Sequence, residues 1–137
     1  MTSYTPVPRT LWDLASSGLG STIAANGNSG LTPVDLLDVT DVWLVVYLGA
    51  APTGTTPTLA VQLDVQDPDG NWITAVAKTA TVNSSGGSAS AFAGLHMPNV
   101  STSSAAFVLP RWARVAWTIG GTATPTFTKV SMSLTGR

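Results

Sequence analysis

The chain has 137 residues, which is long enough for one domain with a buried core. Only 9% of its residues are charged and the net charge is −1, so it lacks the basic footprint of a nucleic-acid binder. Cysteine and glutamate are both absent, which excludes disulfides, thiol chemistry and Glu-based acid–base pairs. Serine and threonine fill the place of the missing charges. Threonine suits a pleated strand, whereas the charged residues that favour helices are scarce. The composition predicts an all-β chain.

Residues 1–30 differ in character from the rest of the chain. Pro6 and Pro8 favour an extended path, Leu11, Trp12 and Leu14 need burial, and 16–30 is rich in glycine. Two readings stand here: a first strand folded on its own domain, or an arm laid on a neighbouring subunit. No basic segment followed by an apolar run marks a secretory leader near Met1.

From residue 31 to 137 the strand signals are regular. Residues 42–48 are apolar throughout, with Trp43 and Tyr47 on one face and Val42, Leu44, Val46 and Leu48 on the other. Such a strand is covered on both sides or forms an interface. The longest apolar run, 42–51, is broken by Gly49 and is too short to cross a bilayer. Residues 52–57, rich in Gly, Thr and Pro, read as a loop.

Leu59, Val61, Leu63 and Val65 then alternate with Ala60, Gln62, Asp64 and Gln66, which predicts a strand with one wet face. Asp67-Pro68-Asp69-Gly70 is a turn sequence, and 71–78 returns as the second strand of a hairpin with Trp72 or Ile73 facing the core. Residues 82–90 read as a Ser/Gly loop, 91–96 as a weak strand and 99–104 as a polar loop. Beyond Pro110, Ala113, Val115, Trp117 and Ile119 share one face, with Trp112, Arg114, Ala116 and Thr118 on the other. Gly120-Gly121 opens a loop to Pro125, and 126–134 makes the last strand. About eight strands separated by turns predict an antiparallel β-sandwich or jelly roll with an extended N-terminal arm.

Catalytic groups are sparse. His96 is the only histidine, and the serine-rich segments lack the elbow that positions a nucleophile, so no catalytic residue is assigned. Asp64, Asp67 and Asp69 resemble a calcium loop only loosely, because no distal Glu is present. Asp35, Asp38 and Asp41 do not share a face of an extended chain, and read as solvated strand-entry residues. No metal site and no cofactor are therefore expected. The five tryptophans read mainly as core, with any exposed ones serving as protein anchors or sugar platforms. Arg114 is placed beside Trp112, stacked on it as a surface anchor.

Residues 109–133 resemble a C-terminal motif of small tailed-phage virion proteins, an aromatic-Val-Arg-Val strand followed by a Gly-Thr-x-x-Pro-x-Phe-Thr turn. Trp112, Arg114, Val115, Trp117, Gly121, Pro125 and Phe127 match it. The hairpin at 59–75, with Asp-x-x-Gly-Asn-Trp at 67–72, is similar as well. The two regions cover under half of the chain, and residues 1–30 match no pattern. The resemblance implies a β-sandwich that decorates or cements a phage capsid, made in the bacterial cytoplasm and carried on the virion. The implied partners are the major capsid protein and the chain itself, with a trimer favoured, and no nucleic acid or membrane. A tail, neck or fibre module and a carbohydrate-binding module are the alternatives. The expected partner-binding residues are Pro6, Pro8, Leu11, Trp12, Leu14, Trp112 and Arg114.

Overall fold

A computed structural model describes residues 7–30, 32–83, 89–96 and 110–137. Nine strands and no helix run through them: β1 (Arg9–Asp13), β2 (Gly27–Asn28), β3 (Val34–Asp35), β4 (Asp41–Leu48), β5 (Thr53–Gln66), β6 (Trp72–Lys78), β7 (Ala89–His96), β8 (Trp112–Thr126) and β9 (Val130–Gly136). They form two antiparallel sheets. The first has the order β1-β9-β4-β7, and the second β2-β8-β5-β6, with β3 also paired to β8. The fold is an all-β sandwich.

The alternation read from the sequence builds the core. Val42, Leu44, Val46 and Leu48 of β4 and Val130, Met132 and Leu134 of β9 point inward from the first sheet. Leu59, Val61, Leu63 and Val65 of β5 and Ala113, Val115 and Trp117 of β8 meet them from the second. Leu14, Ile23, Val34, Leu36 and Phe127 close the seams between the sheets. Truncating one of the fully buried leucines to alanine costs about 2–5 kcal/mol in a core of this kind.

The N-terminal segment folds on its own domain. β1 pairs with β9 through Arg9↔Gly136, Thr10↔Thr135, Trp12↔Leu134 and Asp13↔Ser133, with a bulge between Thr10 and Trp12. Leu14 continues this edge by donating its N–H to the Met132 carbonyl at 2.9 Å, and its side chain is fully buried. Of the two readings of this region, the first strand describes residues 9–14.

The hairpin forms as its sequence predicts. The Gly70 N–H donates to the Asp67 carbonyl at 3.0 Å, the Asp67 N–H donates to the Asn71 carbonyl at 2.9 Å, and Gly70 adopts φ 88°. This is a tight turn closed by a left-handed glycine, the geometry that Pro-Asp-Gly favours.

Two predicted loops are strand instead. Residues 53–58 of β5 pair with 120–126 of β8 through Thr53↔Thr126, Thr55↔Thr122 and Thr58↔Gly120, with register shifts on both sides of Thr55. Bulges explain why the Gly- and Pro-rich stretches misled: they take Pro57 and Pro125 out of the ladder and place Thr56, Ala123 and Thr124 at positive φ. Gly121, at φ 111°, packs so tightly that a Cβ there would lie 2.7 Å from the Thr56 carbonyl oxygen. The result is an exposed, uncharged two-stranded ribbon. The predicted loop at 99–104 and most of the one at 82–90 lie outside the described residues, as does the side chain of His96.

The tryptophans are also redistributed. Trp117 alone is buried, its indole N–H donating to the Ala25 carbonyl at 3.1 Å, with Gly27 packed flat against the ring. Trp12 and Trp72 are half-buried, and Trp43 and Trp112 are exposed. Ile73 is exposed too, so neither Trp72 nor Ile73 enters the core. The returning strand is an edge strand with a bulge, which leaves its large residues at the rim.

Candidate functional site

The outward side chains of the first sheet are fixed by its register. Along β4 they are Asp41, paired with Arg137, and then Trp43, Val45 and Tyr47, the last three opposite Thr135, Ser133 and Ser131 of β9 on one side and Gly94, Phe92 and Ser90 of β7 on the other; on β1, Asp13 stands opposite Ser133. Between Asp41 at one end and Asp13 at the β1 edge, the nine residues of β9, β4 and β7 from Trp43 to Tyr47 and their partners carry no charge. Trp43 is 52% exposed, Tyr47 44% and Phe92 69%. Trp43 and Phe92 meet edge to face, with ring centroids 6.0 Å apart and planes at 79°. Large apolar groups grouped on one exposed face mark a contact surface. A strand apolar on both sides was the sequence signal for it, and β4 supplies two of the three aromatics. Phe92 was missed because the alternation of β7 is carried by small residues.

The residues expected to bind partners do not form one site. Pro6 lies outside the described residues. Pro8 is exposed and lines a shallow cleft with Trp43, Thr135 and Arg137, at the border of the aromatic face. Leu11 and Trp12 are half-buried and pack against the core, and Leu14 belongs to it. Trp112 and Arg114 sit on the other sheet. Trp112 lines a groove with Pro68 and Pro110, beneath the Arg111 guanidinium 4.7 Å from its ring.

Arg114 stacks on Trp72 at 4.4 Å, and not on Trp112 as the sequence spacing suggested. It faces Asp64 directly across the β5–β8 ladder, and its Nε donates to Asp64 Oδ2 at 2.9 Å. Asp64 was expected on a wet face but is only 1% exposed. Its Oδ1 accepts from Gln62 Nε2 at 2.8 Å and from the Ala75 N–H at 2.9 Å. The last bond has a clear cause. The β5–β6 register shifts between Leu63 and Val65, Ala75 takes φ 57°, and its amide loses its ladder partner. The carboxylate replaces the missing carbonyl. These contacts hold the bulged edge of the second sheet together.

Three further carboxylates, of Asp35, Asp41 and Asp67, are also engaged locally. Arg111 binds Asp35 bidentately, Nε to Oδ1 at 3.1 Å and Nη2 to Oδ2 at 3.0 Å. That guanidinium, then the Leu37 N–H, holds the Asp35 carboxyl below its ordinary value. Asp41 pairs with Arg137 at 2.8 Å. Asp67 accepts from Asp69 N–H, Asn71 N–H and Asn71 Nδ2, and the Asn71 side chain leads in lowering its pKa. Among the described residues no three carboxylates or histidines converge as a metal site would require.

No protein-family model matches the chain, and no curated protein or solved structure matches it either.

Proposed function

We propose that this chain is a structural virion protein, a decoration or cement β-sandwich that binds a bacteriophage capsid surface as an oligomer and performs no catalysis. The observation that carries this reading is the exposed aromatic cluster at the uncharged centre of the first sheet's outer face. A face whose centre exposes Trp43, Tyr47 and Phe92, with charge only at its edges, is poorly solvated alone, and is stabilised when another protein covers it. The resemblance of residues 109–133 and 59–75 to phage virion proteins supplies the setting, with the major capsid protein as partner and the local three-fold positions of a shell suiting a trimer. Binding only the assembled lattice would stabilise it by mass action.

Exposed aromatics beside hydroxyl rows favour a second reading, carbohydrate binding. The near-perpendicular Trp43 and Phe92 rings, however, give no coplanar platform for a sugar. The test is to sediment purified phage heads with the protein and locate it on intact particles by cryo-EM. Stoichiometric co-sedimentation and density on the shell are expected. Density on the tail, neck or fibres replaces the capsid assignment. Absence from particles, with tryptophan fluorescence that responds to glycans, overturns the proposal.

A further inference from the structure

We infer that the outer edge of β7 is a strand-pairing site, where the β7 of a second copy adds antiparallel across a two-fold axis. The inference rests on reading the chain as an assembly subunit, and it leaves the aromatic face free for the partner proposed above.

The ladder leaves this edge open. β7 ends the first sheet, beyond β4. Asp41 and Arg137 exchange both backbone bonds, each at 3.0 Å, and the Gly49 N–H donates to the Lys129 carbonyl at 2.9 Å. The odd residues of β4 therefore bond toward β9, while Val42, Leu44, Val46 and Leu48 bond toward their β7 partners Leu95, Ala93, Ala91 and Ala89. That alternation turns the N–H and carbonyl groups of Ser90, Phe92, Gly94 and His96 outward, where no strand among the described residues meets them. The other edges described are blunted. β1 is bulged between Thr10 and Trp12 and carries Arg9 and Asp13, and β2 and β3 are two residues each. β6 carries Lys78, pairs across a register shift and holds Ala75 at φ 57°. By contrast, β7 pairs along its whole length without a shift and has no Lys, Arg, Asp or Pro. A straight, uncharged edge is a template for strand addition.

Self-complementarity selects the occupant. A two-fold contact sets β7 against itself, so any charge on it would stand close to its own copy, and residues 89–95 carry none. With the axis at Ala93, Ser90 pairs with His96 of the second copy and Phe92 with its Gly94, and each pair recurs beyond the axis. Four pairs at two bonds each make eight backbone hydrogen bonds, whereas a register moved by two residues keeps only three pairs. The Phe92 ring then covers a residue without a side chain, as aromatic groups do for glycines at sheet edges. Pairing also enlarges the surface already described. The two uncharged centres, three strands wide in each copy, join along β7 into one field six strands wide. Both Trp43–Phe92 pairs then lie on one side of a continuous sheet.

Light scattering after size exclusion, on the full chain from micromolar to near-millimolar concentration, should read a dimer. The absence of cysteine makes the register testable. Under mild oxidation Ala93→Cys should give a cross-linked dimer, because facing Cα atoms in such a pair lie about 4.5 Å apart, within disulfide reach. Ala91→Cys should not, since its two copies stand about 13 Å apart along the strands. Gly94→Pro removes an outward N–H and spares the bonds to β4, and a Cβ there meets only the Val42 carbonyl oxygen at 3.8 Å. It should weaken the dimer by about tenfold or more, with an unchanged circular-dichroism spectrum. Where that variant does not fold, the cysteine pair decides. A wild-type monomer at every concentration, a trimer, or equal cross-linking of the two cysteine variants overturns the inference. So do slowly exchanging amides at Ser90, Phe92 and Gly94 in dilute monomer, because the chain itself then covers the edge. Protection of those amides only on phage heads assigns the edge to a capsid strand instead. A monomer that still sediments with heads sinks strand pairing alone, and a cross-linked dimer that never binds heads sinks the capsid reading alone.

Discussion

The two outer faces of the sandwich contain similar residues and treat them oppositely. On the second sheet Trp72 lies under the Arg114 guanidinium, which is pinned by the buried carboxylate of Asp64. On the first sheet Trp43 meets Phe92 edge to face and shares a cleft with Pro8, Thr135 and Arg137, with no guanidinium stacked on its ring among the described residues. Trp72 is covered by its own chain, and Trp43 is left open. The difference shows that exposure of an aromatic residue is not fixed by its strand or spacing. It depends on whether a charged neighbour across the ladder can cover the ring while staying satisfied itself.

The sharpest way to break that contrast is Asp64→Ala. It strands the Arg114 charge and the bulged Ala75 amide together, and should cost about 3 kcal/mol in urea unfolding. A loss under about 1 kcal/mol would show that the second face does not depend on its internal ion pair. Gly121→Ala comes next. It forces an L residue to φ 111° with a Cβ against two backbone oxygens, and should cost about 2 kcal/mol. Amide exchange should speed up in residues 53–58 and 120–126 before it does elsewhere, because the ribbon opens locally.

A matched pair sharpens the comparison directly. Trp72→Ser removes the ring under Arg114 and should cost about 1–2 kcal/mol, whereas Trp43→Ser should stay within about 0.5 kcal/mol for the monomer. Equal losses would erase the distinction between the faces. The smallest effect concerns acid. Asp67 and Asp35 are held below their ordinary value of 3.8 in the folded state, so their stabilisation is present above that value and fades as pH falls through the lowered folded one. Asp67→Asn should therefore flatten the acid limb of a melting-temperature profile and leave the neutral region unchanged. An acid limb as steep as wild type would remove the turn carboxylate from the account.

Much of the fold was legible because burial here obeys a period of two. The inward rows of β4, β5, β8 and β9 could be read directly from alternation, and the Asp-Pro-Asp-Gly turn from the conformations its residues allow. The bulges were not legible. Gly54, Pro57, Gly121 and Pro125 signal a break in any local reading, yet two strands that break in register still pair. Asp64 failed for the same reason. Its burial depends on a bulge in another strand, and nothing near it in sequence records that. Of the candidate surface, Trp43 and Tyr47 were visible as a second apolar face, while Phe92 needed the β4–β7 register.

The position of β9 has a consequence for how the chain is made. This late segment sits in the middle of the first sheet, between β1 and β4. Until residues 130–136 leave the ribosome, β1 has no partner strand and the inner face of β4 lacks its neighbour Met132. Such long-range pairing makes closure slow, on the order of milliseconds to seconds, and leaves the nascent sheet sticky in the meantime. Synthesis at high copy number would then favour an early encounter with a chaperone, or a truncated product that never becomes soluble.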